Sequence, residues 1–343
     1  MQRIKLADVA RAAGVHPGTA SRALNPQTRE QVSPATVRRV TRAAQRLGYV
    51  PNPVARGLRT ARSFLIGMVV PDVTNPLFPP MVRGAEKVLT RAGYTLVLTD
   101  TDNDAATERR QIELLRARGT DGFIVATARW QDDLLAEIAA AGVPAVLVNR
   151  NTASAELPYV GGDERTGVRL AVDHLVALGH RHIAHLGGPA DTSTGRERAA
   201  AFRQSVLQHG LPATDLVWAC AAYTEQAGAE AAGRLLASGR EFTAVVAGND
   251  LIAFGVLDTL TRAGRSCPGE VSLIGFNDMP HLDKLAPPLT SVALPLAEMG
   301  AQAARILLAR VAAPAPAAPA QSLLGVELKV RGSTARASTR RPT

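Results

Sequence analysis

The sequence predicts an all-α headpiece built around a helix-turn-helix, followed by an α/β core of two doubly wound parallel-sheet lobes. Helical patterns fill the first 50 residues, and from Phe64 onward short apolar runs alternate with amphipathic helical patterns. The 343 residues exceed the usual size of one domain, so two or three domains are expected. The 46% hydrophobic and 20% charged residues are typical of a globular protein with a full core, which excludes a wholly disordered chain.

Three short helices are predicted in the headpiece. Residues 6–13 place apolar side chains at helical spacing, and Gly14 can end that helix. Pro17 suits the first position of a second helix, where its missing N–H would be unpaired anyway. Ser33 followed by proline is typical of a cap and first turn, and Gly48 can end the third helix.

The core pattern predicts strands alternating with helices. The apolar runs that predict strands are 65–70, 95–99, 122–126, 145–148, 182–186, 244–247 and 271–276. The helical patterns between them include 81–91, 108–118, 165–178, 198–209, 225–237 and 251–263. Strands buried on both faces and separated by helices indicate parallel sheets with crossover helices. These strands are too many for one small sheet, so we expect two lobes, with a final strand at 323–330 after the low-complexity stretch 312–320.

The positive charge is concentrated at the N-terminus. Residues 1–62 hold 12 lysines and arginines against Asp8 and Glu30, a local net charge of +10, whereas the whole chain carries +9. The rest of the chain is therefore close to neutral. A concentrated basic surface indicates a polyanion contacted by one small domain; the alternative is a solvated basic helix face.

The first two predicted helices have the spacing of a helix-turn-helix. Small Ala10 allows the helices to cross closely, and Gly14 permits the positive φ of a tight turn. An arginine exposed on the second helix can contact a guanine edge bidentately, and short polar side chains suit phosphate oxygens. The second helix and its end expose Pro17, Gly18, Thr19, Ser21, Arg22 and Asn25. The alternative is a plain helical hairpin.

Motifs along nearly the whole chain carry a resemblance to one protein family. In order they are PDVTNPLF at 71–78, DGFIVA at 121–126, HLVALGHRHIAHLGGP at 174–189, RERAAAF at 196–202, GNDLIAFG at 248–255, VSLIGFND at 271–278, PPLTSV at 287–292 and VRGST at 330–334. Together with residues 6–62 they resemble the lactose/galactose repressor family of bacterial transcriptional regulators.

The resemblance implies a domain plan. It places a DNA-binding headpiece at 1–50, a hinge helix and linker at 51–62, and a periplasmic-binding-protein-like core at 63–334. The N-lobe would comprise about 63–161 plus 292–322, and the C-lobe about 162–291 plus 323–334. The remaining residues, 335–343, would form a disordered basic tail.

The resemblance also implies the residues that contact DNA. In the family, the segment matching Pro53–Thr60 folds on the operator as a hinge helix, and a leucine at the position of Leu58 inserts into the minor groove. A short arginine-rich stretch between prolines is too weak to be helical alone, which agrees; an inert linker is the alternative. The full implied set is His16, Pro17, Gly18, Thr19, Ser21, Arg22, Asn25, Thr36, Tyr49, Asn52, Ala55, Leu58 and Arg59.

Two departures from the family pattern concern helix caps. Lys5 stands where a capping threonine is usual, and His16 stands where serine is usual. Each change is expected to cost a cap worth about 1 kcal/mol, although His16 could instead contact phosphate or a base edge.

The resemblance places the effector site in the cleft between the lobes. Sugar-binding members often have aspartates at the positions of Asn149 and Asn277, so their replacement would leave Arg150 and Arg198 less compensated. This favours an anionic or carboxyl-bearing effector such as a sugar acid; the alternative is a neutral polyol. The implied set is Asn75, Leu77, Phe78, Asn149, Arg150, Thr194, Arg198, Tyr223, Asn249, Asn277 and Leu294.

Several other classes of site and protein are disfavoured. Two cysteines make no disulfide framework, and His174, His180, His182 and His185 lack acidic or cysteine partners for a metal, so neither metal nor cofactor is expected. No membrane span or signal peptide is apparent, which predicts a cytoplasmic, nucleoid-associated protein with no membrane partner. The expected protein is a ligand-responsive repressor that binds operator DNA as a homodimer. Its rivals are a solute-binding protein for transport and a small-molecule enzyme.

Overall fold

The computed structural model describes residues 4–25, 28–49, 62–212, 216–313 and 321–337. The chain divides into two compact units, Met1–Ser63 and Phe64–Thr343. The first is the headpiece with the segment that follows it, and the second contains both lobes. No helix in the described ranges is long and apolar enough to cross a membrane.

The described part of the headpiece forms three α-helices around a small core. They are α1 (Leu6–Ala13), α2 (Pro17–Leu24) and α3 (Pro34–Leu47), with a 3-10 turn at Arg29–Gln31. The predicted helices are confirmed. Alanines and valines such as Ala10, Ala20 and Val40 are buried, because small side chains let three short helices approach closely. Gly14 and Gly48 end α1 and α3 with φ of 61° and 64°, a conformation that favours glycine.

Of the two unusual cap residues, His16 caps its helix with its side chain and Lys5 does not. The His16 ring nitrogen Nδ1 accepts a hydrogen bond from the Gly18 backbone N–H at 3.2 Å, so α2 is capped. The expected loss of this cap was wrong, because an imidazole nitrogen can replace a hydroxyl as acceptor. The Lys5 ammonium has no lone pair and provides no side-chain cap to α1, as predicted. The Lys5 backbone N–H instead donates to Asp8 Oδ2 at 2.9 Å.

The N-lobe is a twisted sheet with helices on both faces. Its described strands follow the order β11-β5-β4-β3-β1-β2, and all are parallel. The strands are β1 (Leu65–Val70), β2 (Thr95–Asp100), β3 (Gly122–Val125), β4 (Ala145–Val148), β5 (Tyr159–Gly162) and β11 (Gln321–Leu324). The helices are α4 (Phe78–Arg91), α5 (Ala105–Ala117), α6 (Asp133–Ala140) and α11 (Leu296–Ala312).

The C-lobe repeats this architecture. Its described strands follow the order β12-β10-β9-β8-β6-β7, and β12 is antiparallel to β10. The strands are β6 (Ile183–Gly187), β7 (Val217–Ala219), β8 (Ala244–Ala247), β9 (Ser272–Asn277), β10 (Thr290–Ala293) and β12 (Glu327–Lys329). The helices are α7 (Glu164–Ala177), α8 (Ser193–Gln208), α9 (Glu225–Ala237) and α10 (Asp250–Arg262), and a 3-10 turn spans Leu282–Lys284.

The chain passes between the lobes three times: after β5, after β10 and between β11 and β12. The predicted single strand at 323–330 was wrong, because β11 and β12 belong to different sheets and residues 325–326 connect them. A local apolar pattern does not reveal such a change of sheet. The structure also adds β5, β7 and β10, which are short runs of three or four residues.

Part of the expected disordered tail is held against the C-lobe. The Ala335 backbone N–H donates to Ser272 Oγ at 3.0 Å, and the Ala337 N–H donates to the Leu178 carbonyl at 2.9 Å. Disorder was therefore the wrong expectation for residues 335–337. The rest of the predicted tail lies outside the described residues.

Candidate functional site

The exposed side of α2 carries the candidate DNA contacts. Arg22 is exposed and its Nε donates to the Gly18 carbonyl at 3.3 Å, while Ala20 and Ala23 are buried on the opposite side. His16 and Pro17 are also exposed, whereas the half-buried candidates are Gly18, Thr19, Ser21, Asn25, Thr36 and Tyr49. Arg22 and His16 are therefore accessible to a partner, and the other described candidates are partly accessible. Asn52, Ala55, Leu58 and Arg59 lie outside the described residues.

A second basic surface lies on α3. Arg38, Arg39, Arg42 and Arg46 line a groove together with Ala12 of α1 and with Ala35 and Ala43 of α3. The sequence analysis did not single out these arginines, although their spacing of three and four residues places them on neighbouring positions of one helix. Such a stripe can contact phosphates without reading bases.

The two lobes enclose a cavity of about 260 Å³. Ten of the eleven candidate effector residues line it: Asn75, Leu77, Phe78, Asn149, Arg150, Thr194, Arg198, Tyr223, Asn249 and Asn277. Leu294 is the exception. It lies in the hydrophobic core with 8% of its surface exposed, and its Cδ2 packs against Gly162. The expected contact of Leu294 with the effector is therefore not supported by its position.

Strand ends bring these side chains together. Asn149 and Arg150 follow β4, Asn249 follows β8, and Asn277 ends β9. The carboxyl ends of parallel strands meet at one edge of a sheet, which is where open α/β folds bind ligands. Asn149 and Asn277 have positive φ values of 67° and 111°, and asparagine tolerates the left-handed region better than most residues. Strained backbone of this kind concentrates at ligand sites.

Arg198 is neutralised within the C-lobe. Its Nε donates to Glu164 Oε2 at 2.5 Å, one of its terminal nitrogens donates to the Gly248 carbonyl at 2.5 Å, and both charged side chains are almost fully buried. Its guanidinium also lies 3.8 Å from the centroid of the Phe276 ring. The prediction that Arg198 is left less compensated was wrong, because Glu164, 34 residues away in the sequence, supplies the counter-charge.

Arg150 has a different environment on the N-lobe side. It is 9% exposed, and its Nε has no hydrogen-bond partner among the described residues. Its guanidinium lies 5.7 Å from the centroid of the Tyr223 ring. Burial lowers the pKa of Arg150, and nearby Asp191 opposes this shift. A buried donor without a partner is costly.

The C-lobe also holds an unpaired acceptor. Asn277 Oδ1 is buried and has no hydrogen-bond partner in the described part of the chain. The Asn75 and Asn249 oxygens, by contrast, accept backbone N–H groups at 3.0 and 2.8 Å, which leaves their amide N–H groups for a ligand. The Tyr223 hydroxyl lies 2.8 Å from Thr194 Oγ1, and its ring packs where any side chain at Gly188 would clash.

The cavity has further lining that the sequence analysis missed. Arg129 donates to the Asn103 carbonyl at 2.6 Å and lies 3.6 Å from Glu108 Oε2. Burial raises the pKa of Glu108, which also accepts the Thr127 hydroxyl. The added polar lining residues are Asp72, Asn103, Arg129, Asp191, Thr192 and Thr224. Arg129 lies three residues after the predicted strand 122–126, and this position near a strand end could have identified it as a cavity residue.

Two hydrogen bonds join the lobes at the mouth of the cleft. The Trp130 backbone N–H of the N-lobe donates to the Asp191 carbonyl of the C-lobe at 2.7 Å. The Asn151 N–H donates to Ser193 Oγ, at the start of α8, at 2.8 Å. The Arg196 guanidinium lies 5.0 Å from the Trp130 ring centroid. The first turn of α8 therefore both lines the cleft and is bonded to the opposite lobe.

Three of the four histidines considered as metal ligands take part in the protein's own hydrogen bonding. The His180 ring nitrogens lie 2.9 Å from Thr243 Oγ1 and 3.0 Å from the Ala335 carbonyl. His185 Nδ1 lies 2.8 Å from the Val246 carbonyl, and His174 Nε2 lies 3.0 Å from Thr334 Oγ1. In the described ranges, no group of three histidine, cysteine or acidic side chains is arranged to hold a metal ion.

Comparisons with known proteins agree on both units. Residues 5–52 match the model of bacterial regulatory proteins of the lacI family, and residues 172–334 match the model of periplasmic binding protein-like domains. The HTH-type transcriptional regulator MalR of Streptomyces coelicolor is 35% identical, over 97% of each chain. The structure of the transcriptional regulator CelR–cellobiose complex is similar with a TM-score of 0.73 and 32% identity, covering 96% of this chain and all of that one. The Lac repressor dimer bound to operator and the anti-inducer ONPF has a TM-score of 0.83 and 26% identity, covering 97% and 100%.

Proposed function

Because the chain belongs to the lacI family of bacterial regulatory proteins, we propose that it is a transcriptional repressor whose operator binding is controlled by a carbohydrate. It binds a pseudo-palindromic operator as a homodimer, which presents two headpieces to two half-sites. The observation that carries this function is similarity over the headpiece and both lobes together to a repressor dimer bound to operator. A headpiece match alone would leave the control by ligand unsupported.

The headpiece supplies two kinds of DNA contact in this function. Arg22 of α2 reads a guanine edge in the major groove, where its guanidinium can donate two parallel hydrogen bonds. Thr19, Ser21 and Asn25 contact phosphates and set the orientation of α2. The arginines of α3 add charge that attracts DNA of any sequence and makes binding sensitive to salt.

The effector that fits the cleft best is a neutral carbohydrate. In the lining, asparagine amide N–H groups can donate hydrogen bonds to sugar hydroxyls, and the Tyr223 hydroxyl can donate or accept them. The carboxylates of Asp72 and Asp191 in the lining disfavour an anion, and Phe78 and Tyr223 offer apolar surface to the C–H face of a sugar ring.

A sugar acid is the second candidate. Arg150 is the observation that favours it, because its buried guanidinium has no ion pair with a carboxylate among the described residues. Arg198 was also expected to favour a sugar acid, but it does not, since Glu164 already pairs with its guanidinium. The two rival classes of function, a solute-binding protein for transport and an enzyme, receive no support from relatives that are named as transcriptional regulators.

A gel-shift experiment on the DNA upstream of the protein's own gene tests the function. We expect a specific complex that weakens steeply with salt and that changes in affinity when the right sugar is added. The effector class is then decided by thermal shift against matched pairs such as glucose and gluconate, or galactose and galactonate. No specific complex would contradict the repressor function, and a shift with sugar acids alone would replace the neutral effector with the acidic one.

A further inference from the structure

We propose that Trp130 and Arg196 form an outer subsite for a second sugar unit, so that the effector is an oligosaccharide rather than a monosaccharide. The inference rests on the proposed function, because it extends the same cleft. Its basis is a second cavity of about 400 Å³ at the cleft mouth. This cavity is lined by Arg129, Trp130, Gln131, Ala190, Asp191 and Arg196.

The outer cavity adjoins the inner one. Arg129 and Asp191 line both cavities, so these two side chains lie where the inner and outer cavities meet. The two residues come from opposite lobes. A second sugar unit linked to the first would therefore contact both lobes at the mouth, as the first does inside.

The chemistry of the outer cavity suits a sugar ring. Trp130 is half-buried and lines the outer cavity, and the part of its indole that the Arg196 guanidinium leaves open offers a surface on which the C–H face of a pyranose can pack. Around it, the guanidinium groups donate hydrogen bonds, the Asp191 carboxylate accepts them, and the Gln131 amide does both. An apolar indole surface surrounded by hydrogen-bond donors and acceptors matches a sugar ring, whose faces are apolar and whose edges carry hydroxyls.

The Trp130 ring is held in place before any ligand binds. Its backbone N–H is bonded to the Asp191 carbonyl at 2.7 Å, and its carbonyl accepts the Ala153 N–H at 2.8 Å. The Arg196 guanidinium over the ring, 5.0 Å from its centroid, restricts the indole from the side of α8. A fixed aromatic surface binds with a smaller loss of side-chain entropy than a mobile one.

Calorimetry on the full-length protein with glucose, maltose, cellobiose, lactose and glucose 6-phosphate tests the subsite. We expect at least one disaccharide to bind more tightly than glucose. Trp130→Ala should weaken that disaccharide about tenfold, corresponding to the loss of one aromatic contact, and should leave glucose within about twofold. Trp130→Phe should retain most of the affinity, because the aromatic surface remains. Arg196→Ala changes an exposed side chain and should reproduce part of the loss without disturbing the core.

Fluorescence provides a readout at the subsite itself. Trp130 and Trp218 are the two tryptophans of the chain, and Trp218 lies in β7, outside both cavities. In a Trp218→Phe background all tryptophan emission comes from Trp130. The disaccharide should change this emission more than glucose does, because glucose can act on Trp130 only through closure of the lobes, while operator binding confirms that the variant folds.

The outcomes separate the two proposals. If Trp130→Ala weakens glucose and the disaccharide equally, or weakens neither, the outer subsite is wrong while the carbohydrate effector stands. The outer subsite would also be wrong if glucose 6-phosphate bound more tightly than glucose and no disaccharide did, because the arginines would then be binding phosphate. If no carbohydrate binds the unmodified protein, the proposed effector class fails and the subsite fails with it.

Discussion

Arg22 is exposed on α2, the helix that we propose enters the major groove. Its side chain lies along α2 toward Gly18, and the opposite face of the helix is buried. We predict that Arg22→Ala reduces the preference for operator over random DNA by about 1–3 kcal/mol, because a bidentate contact to guanine carries sequence information. Gel shifts on both DNAs measure this preference.

Arg11→Ala is the matched control for Arg22. Arg11 is an exposed arginine of α1, and its side chain lies 3.6 Å from Asp8. Arg11→Ala removes one positive charge, as Arg22→Ala does. It should weaken binding to both DNAs by a similar factor, since it changes only the general attraction to phosphate. Equal effects of the two substitutions on the preference would show that α2 does not read the sequence.

His185 makes the C-lobe sensitive to acid. The ring is fully buried, stacks on Phe202 at 5.0 Å, and burial lowers its pKa from 6.5 to about 4. As the pH falls from 6.5 to 4, the unfolded chain takes up a proton that the folded chain does not, so stability is lost. The full effect is about 3 kcal/mol. Titration of the imidazole signals by NMR should find the His185 ring neutral at pH 5, and a midpoint near 6.5 would contradict this.

Asp250 has the opposite effect to His185 on the stability of the fold over the same pH range. Burial raises the pKa of Asp250 from 3.8 to about 7, although Ser291 Oγ and the Met279 N–H donate to its carboxylate. The folded carboxyl therefore gains a proton on acidification before the unfolded one does, which stabilises the fold as the pH falls from 7. We predict that urea unfolding of Asp250→Asn loses more stability between pH 7 and pH 5 than unfolding of the unmodified protein does. A smaller loss would contradict the opposing roles.

Glycines set the closest helix packing of the N-lobe. A Cβ at Gly84 of α4 would lie 1.9 Å from the Ala297 carbonyl oxygen, and a Cβ at Gly300 of α11 would lie 1.9 Å from the Met81 oxygen. The two helices therefore touch backbone to backbone at both points. Since α11 follows the second crossing between lobes, this contact anchors a late segment of the chain in the N-lobe.

A pair of glycine substitutions tests this packing. We predict that Gly84→Ala destabilises the protein by about 1–2 kcal/mol, because overpacking costs about 1–3 kcal/mol and helix propensity returns up to about 1 kcal/mol. In Gly233→Ala, the control in α9, the new Cβ meets no heavy atom within 4 Å in the described part of the chain. That variant should gain about 0.5–1 kcal/mol. Urea unfolding measures both, and a stabilised Gly84→Ala would refute the close contact.

At the scale of the whole molecule, the cleft is closed by bonds between the lobes. Ser193 Oγ is fully buried and accepts the Asn151 N–H across the mouth. Ser193→Ala leaves this N–H unpaired in the closed form, which costs about 1–3 kcal/mol. We predict weaker binding of the effector, because a ligand that contacts both lobes binds the closed form.

Ser205→Ala controls for the loss of a buried hydroxyl. Ser205 is also buried on α8, about three turns further along the helix than Ser193. Effector titration by calorimetry should show a loss for Ser193→Ala and little change for Ser205→Ala. A similar loss in both variants would assign the effect to α8 as a whole rather than to closure.

Local patterns identified most elements of the fold in advance. The strands at 65–70 and 145–148 are visible as apolar runs because a strand between two layers of helices is buried on both faces. β5 was missed because its sequence, YVGG, has two glycines and little apolar character. The site was largely predictable as well, since ten of the eleven residues taken from the resemblance line one cavity.

The sequence by itself determined the division into a basic helical headpiece and a two-lobed α/β core, because charge, helix caps and apolar periodicity are local properties. Only the tertiary structure decided which charges in the cleft are neutralised. Arg198 meets Glu164 from a different helix, whereas Arg150 meets no carboxylate at ion-pair distance in the described residues. It also decided that Leu294 is core and that Trp130 meets Arg196 across the lobes. The physical reason is that charge compensation and packing depend on distances between groups far apart in the chain, which residue types and spacing do not encode.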